Sequence, residues 1–246
     1  MKVPKSVPFC EHEQVLSFLQ EENPINTTDI AIKYLFVIIK TYSTKVIYKF
    51  RIQNNMNYLA HAFLSFNNEP ITVGNFIADH IKLSDTGHLP PEIKQGVLLH
   101  RRIDYFTDAH PLFIKSKRHF YNGFERYSGV LTDIYYDFVL AKNFDKFSDI
   151  GLSDFTQNIY SILQSNKHHL PESANRFLNY VLKNNTFFEY SKIEGVELVL
   201  KHLSHRINHG ILLNESLPLF LQNEKAIEED FLEFIQDLIK EVKAFK

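Results

Sequence analysis

The stretch Pro90-Pro91-Glu92-Ile93-Lys94-Gln95-Gly96-Val97-Leu98-Leu99-His100-Arg101-Arg102-Ile103-Asp104-Tyr105-Phe106 decides how the chain folds. Its two prolines stand where a helix can begin, because the first helical turn does not use its backbone N–H groups. From there Ile93, Val97, His100 and Asp104 recur at steps of three and four, the spacing of one helical face. The spacing predicts a helix to about Phe106, ended before His110-Pro111. A second helix is expected from about Phe124 to Lys142, with Arg126, Val130, Asp133, Asp137 and Leu140 along one stripe. Helical patterns follow at about 153–165, 172–184, 193–208 and 224–244, the last with Glu228, Phe231, Phe234, Ile235, Leu238 and Val242 on its apolar side. Strand-like alternation is scarce outside residues 41–52. The expectation is an all-α protein, a single helical domain of about seven helices.

Composition limits the function classes. The chain has 246 residues, 44% hydrophobic, with 27 Lys+Arg against 29 Asp+Glu, enough for one large domain and without the basic excess of a general nucleic-acid binder. The longest apolar stretch, residues 30–39, is broken by Lys33 and is far shorter than the about 20 residues a membrane helix needs, so no span is expected. Pro4, Pro8, Glu11 and Glu13 interrupt any secretory-signal pattern, and the lone cysteine, Cys10, fits a reducing compartment; both point to the cytoplasm. Residues 1–55 carry a small basic excess and one of the twelve histidines, His12. They are expected to be an N-terminal extension, with residues 56–246 forming the helical domain that carries the chemistry. Twenty-two phenylalanines and no tryptophan suggest a core built on Phe.

His100 and Asp104 lie one helical turn apart, so both side chains point the same way and can reach one metal ion. Asp133 and Asp137 repeat the spacing with two carboxylates. If their helices pack face to face, one imidazole and three carboxylates converge, a set suited to Mn²⁺ or Mg²⁺ rather than to a thiolate-seeking ion. The competing reading is a surface ion pair and two solvated carboxylates. Against it, burying several carboxylates without a cation costs several kcal/mol per charge. Asp79 and His61 sit in apolar runs, where each alone reads more readily as a satisfied core residue. His202, His205 and His209 share one helical face with Arg206 between them and read as surface histidines. Lys94, Arg101, Arg102, Lys115, Lys117 and Arg118 outnumber Asp104 and Asp108 in residues 94–118, a charge balance that suits an anionic substrate such as a phosphate ester.

Five ordered motifs carry a resemblance: Met56-Asn57-Tyr58-Leu59-Ala60-His61, Gly74-Asn75-Phe76-Ile77-Ala78-Asp79, the run Leu99 to Asp108, Arg126-Tyr127-Ser128-Gly129-Val130-Leu131, and the run Asp133 to Leu140. Together they resemble the acyl carrier protein phosphodiesterase family over about residues 56–246. The resemblance implies a helical metal-dependent hydrolase, distantly like the HD-type phosphohydrolases, that removes 4′-phosphopantetheine from holo acyl carrier protein. It implies Mn²⁺ (or Mg²⁺) as cofactor and the holo carrier protein as partner, and it assigns Asp79, His100, Asp104, Asp133 and Asp137 to the metal, with His61 a weaker sixth. This chain has Asp79-His80, not the His-Asp dipeptide that names the HD superfamily.

On that reading a metal-activated water attacks phosphorus. Arg101, Arg102 or Arg126 is expected to stabilise the developing charge, Asp108 or Asp79 to orient the water, and His61 or His110 to protonate the departing serine oxygen. Two other readings share the motifs: a metal-dependent phosphohydrolase for a nucleotide or other small phosphodiester, and a non-catalytic helical module that binds a carrier protein.

Overall fold

The computed structural model describes residues 58–207 and 210–245. Among these there is no strand, and the architecture is all-α. The alternation at residues 41–52, the extension 1–55, Met56, Asn57 and His209 lie outside the described residues.

Setting aside the kinked four-residue turn Tyr121–Phe124, ten helices carry the description where about seven are expected: α1 (Tyr58–Phe63), α2 (Glu69–Ile77), α3 (Pro91–Ala109), α4 (Pro111–Lys117), α5 (Ser128–Lys142), α6 (Leu152–Ser165), α7 (Glu172–Asn184), α8 (Thr186–Glu189), α9 (Ile193–Arg206) and α10 (Leu217–Ala244). The surplus is mostly short helices, α1, α4 and α8, which hold too few turns to show a period in sequence. Boundaries shift for local reasons. α3 runs on to Ala109, because only at His110, extended at φ −73° and ψ 131°, does the following proline turn the chain. His110 then caps α4, its Nδ1 accepting from Leu112 N–H at 3.3 Å. α5 starts at Ser128 instead of near Phe124, since Asn122 and Gly123 leave helical geometry, Gly123 at φ 86°. Arg126 therefore lies in the 3₁₀ turn Glu125–Tyr127 ahead of α5, off the helical stripe expected for it.

The packing of α2 on α3 positions everything that follows. A Cβ built on Gly74 would lie 1.9 Å from the carbonyl oxygen of Ile93, and one on Gly96 would lie 2.4 Å from that of Ile71. Two glycines thus let the helix backbones touch, and Asn75 is brought against His100 across the crossing. On the other side of the domain Phe and Tyr rings fill the core, as expected from composition. Tyr135 is stacked between Phe120 and Phe220 at 5.2 and 4.0 Å, and Phe231 and Phe234 of α10 pack on Tyr136. Each such fully buried ring contributes roughly 1.5–3 kcal/mol of transfer free energy. The apolar stripe of α10 turns inward as expected from Phe231 to Val242. Glu228 lies at its margin, accepting from Asn143 Nδ2 at 3.0 Å.

Candidate metal centre

Three elements deliver the polar groups. α3 presents His100 and Asp104 on its buried face, α1 supplies buried His61, and the 3₁₀ turn Ala78–His80 that follows α2 supplies Asp79. His61, His100 and Asp104 each offer a ligand atom within 4.8 Å of the others, and all three are buried. Nε2 of His100 is 3.2 Å from Asp79 Oδ1 and 3.5 Å from Asp104 Oδ2. Nε2 of His61 is 3.4 Å from Asp104 Oδ1. The two imidazoles stack at 4.0 Å.

Asn75 sets how those rings are protonated. Its Nδ2 donates to the His61 carbonyl at 2.9 Å and to Ser65 Oγ at 3.2 Å, which orients the amide. Its Oδ1 then receives Nδ1 of His61 at 2.7 Å and Nδ1 of His100 at 3.0 Å. An amide oxygen only accepts, so both rings carry their proton on Nδ1 and turn Nε2 toward the carboxylates. A neutral imidazole lone pair facing a buried carboxylate is repulsive unless a cation lies between them. His100 can take up a proton: burial acts to lower its pKa, but Asp104 and Asp79 outweigh that and hold it above the usual histidine range. His61 moves the other way, lowered by burial and then by His100. Its Nε2 makes no hydrogen bond, nor does the buried Oδ2 of Asp79. Donor atoms about 3–3.5 Å apart are also what ligands at about 2.1 Å from a shared ion require. The residues present therefore fit a divalent cation, and His61 stands among the converging donors.

The second carboxylate pair divides. Both oxygens of buried Asp137 accept backbone N–H groups at the start of α1, from Leu59 at 3.0 Å and Ala60 at 2.9 Å. Burial pushes its carboxyl well up and those two bonds oppose the shift. Asp137 caps a helix, and both oxygens are occupied in doing so. Half-buried Asp133 stands nearer the cluster: desolvation first, then the charges of Asp108, Asp104 and Asp137, raise its carboxyl well above the usual range, with Lys117 opposing. Neither joins the group of converging donors found among the described residues. Asp108 is exposed, although close enough to Asp133 to be felt there.

The arginines expected to act at the site are occupied or outward. Arg101 donates to the carbonyls of Ala78 and Ile81, both at 3.3 Å, and so holds the turn that carries Asp79. Arg102 pairs with Glu241 on α10. Arg126 is exposed, with its guanidinium over the Tyr127 ring. His110 meets the Phe234 ring edge-on and lies 3.7 Å from Asp237.

A cavity of about 640 Å³ opens beside Asp79. Its aromatic wall includes Tyr58, Phe177, Tyr180, Phe187 and Tyr190. Lys82, Arg176 and Arg206 supply its positive charge. Burial, then the charge of Asp79, raises the Tyr58 phenol well above its usual range, and both residues line the cavity. Asp79 is thus the link between the buried donors and the space a ligand can enter. The sequence reading missed this cavity, because its walls come from α1, α7, α8 and α9. Asn75, an amide inside the apolar run from Val73 to Ile77, was a visible signal without an assigned role.

A family model described as acyl carrier protein phosphodiesterase matches residues 56–238. The chain belongs to this family. Among its relatives, an acyl carrier protein phosphodiesterase of Yersinia pestis is 30% identical over 192 residues, 76% of this chain and 98% of that protein. One of Photorhabdus laumondii is 28% identical, covering 61% of this chain and 77% of that protein. One of Escherichia coli is 26% identical, covering 76% and 97%. No solved structure matches the chain. The family match begins at residue 56, as the resemblance implied. Among the described residues no helix is long and apolar enough to cross a membrane.

Proposed function

We propose that this chain is a cytoplasmic, metal-dependent phosphodiesterase that hydrolyses holo acyl carrier protein to apo carrier protein and 4′-phosphopantetheine. The observation that carries it is the pair of imidazoles oriented by Asn75, with their Nε2 atoms turned toward Asp104 and Asp79 at the edge of a cavity. Family membership supports the substrate, and two imidazole nitrogens with carboxylate oxygens suit a borderline divalent ion such as Mn²⁺ better than Mg²⁺. His61, His100 and Asp104 would hold the ion, with Asp79 completing the set on the cavity side and Asp133 nearby as a carboxylate balanced by the same positive charge. The ion, when bound, polarises a phosphoryl oxygen and lowers the pKa of water at the site. Water oxygen bonds to phosphorus and gives up a proton, the bond from phosphorus to the carrier serine oxygen breaks, and that oxygen takes up a proton to become the serine hydroxyl.

The chain's own contribution is position and exclusion of water. Asn75 fixes the tautomers, Arg101 fixes the Asp79 turn, and the aromatic wall shields the reacting end of the substrate. Activity is assigned to residues 56–246. The test is mass spectrometry of holo carrier protein incubated with the full chain, with and without Mn²⁺. Loss of the arm's mass only with metal, and its absence in Asp104→Ala, is the expected result. Undiminished turnover in a folded Asp104→Ala variant would overturn the metal assignment, and activity confined to nucleotides or small diesters would overturn the substrate.

A further inference from the structure

The positive groups in the cavity differ in how they are employed. Arg176 is paired with Glu172 on its own helix. Arg206, at the last turn of α9, and Lys82 make no ion pair among the described residues, yet both line the cavity that Asp79 closes. Arg206 shares that lining with Tyr58, Asp79, His80 and His202, so its charge borders the same space as the Asp79 carboxylate. A cavity of this volume lies within the usual range for small ligands, and this one combines an aromatic wall with a few convergent cations.

We propose that Arg206, assisted by Lys82, is the phosphate-binding element of the substrate site. It grips the phosphoryl oxygens of the phosphopantetheine arm beside Asp79 while the aromatic wall takes the pantetheine chain. This deepens the hydrolase reading and rests on it for the identity of the ligand. The chemistry favours Arg206 because a guanidinium presents a planar donor fork to phosphate, and among the described residues no carboxylate competes for it. Two of the motif arginines, Arg101 and Arg102, are tied to backbone carbonyls and to Glu241. An acidic surface of the carrier protein is the other possible occupant of these cations, and the test separates the two.

The full chain, with Mn²⁺ present, is titrated calorimetrically with 4′-phosphopantetheine, with pantetheine, and with apo carrier protein. Arg206→Ala is expected to weaken 4′-phosphopantetheine about tenfold to a hundredfold, as loss of a charge-assisted contact does, and to leave pantetheine unchanged. Arg206→Lys is expected to fall between. Arg206 is exposed, so the thermal midpoint serves as the folding control. Equal binding of 4′-phosphopantetheine by wild type and Arg206→Ala overturns the proposal. So does a loss confined to apo carrier protein, or failure of the wild type to prefer the phosphorylated arm. If holo carrier protein is not hydrolysed but the Arg206-dependent preference for phosphate persists, the hydrolase reading falls and the anion site stands. If hydrolysis is seen and Arg206→Ala binds as wild type does, the reverse holds.

Discussion

Asn75 is the residue on which the candidate centre depends without supplying a ligand atom. One amide oxygen receives both Nδ1–H groups, and the opposite end of the same side chain is tied to His61 O and Ser65 Oγ. Asn75→Leu keeps the branched shape of the side chain and removes the acceptor. Both rings are then free to change tautomer, and Mn²⁺ affinity is expected to fall about 10–100-fold, the usual effect of losing a ligand's supporting hydrogen bond. Metal titration followed by calorimetry reads this directly; unchanged affinity would mean that the imidazoles are oriented by packing alone. Asp104→Ala removes a donor outright and is expected to abolish tight binding. His100 and Asp104 were legible as a pair in sequence because a spacing of four is a property of any helix. Asn75 was not, because its importance lies in contacts with residues 14 and 25 positions away.

At the scale of helices, two junctions hold the site in register. Asp137 on α5 accepts from the first N–H groups of α1, and α1 carries His61. Asp137→Ala leaves two buried donors without their acceptor, at about 1–3 kcal/mol each. The expected outcome is a thermal midpoint lower by several degrees, with metal affinity reduced less than in Asp104→Ala. Equal loss of metal in both variants would instead make Asp137 a ligand. The second junction is the contact of α2 with α3. Gly74→Ala drives a methyl group to within 1.9 Å of a backbone carbonyl, and no side chain is present there to move aside. Helix separation is forced, and a destabilisation of at least about 3 kcal/mol is expected in denaturant unfolding. A glycine in a helical pattern gives no hint in sequence of whether its reason is contact or chance.

For the whole molecule, the buried donors couple metal to folding. Only the native state brings α1, α3 and the Asp79 turn together, so an ion that binds there stabilises the fold by mass action. At a free concentration one hundred times the dissociation constant this amounts to about 2.7 kcal/mol. A chelator is therefore expected to lower the thermal midpoint by several degrees and added Mn²⁺ to restore it. A midpoint indifferent to both would argue against a metal in this cluster. The remainder of the domain, with Tyr135 between Phe120 and Phe220 and the α10 stripe against Tyr136, is apolar packing that should set the residual stability.

By itself the sequence determined the helical class, the main helices, the family resemblance from residue 56 onward and the facing pair His100 and Asp104. These follow from periodicities of three to four residues, which the backbone imposes locally, and from motifs contiguous in the chain. Tertiary structure alone decided that Asn75 orients both imidazoles, that Asp137 caps α1, that Arg102 faces α10, and that Arg206 reaches the same cavity as Asp79. Those outcomes depend on which helix faces meet, and that choice is made by the burial of many rings and two touching glycines at once.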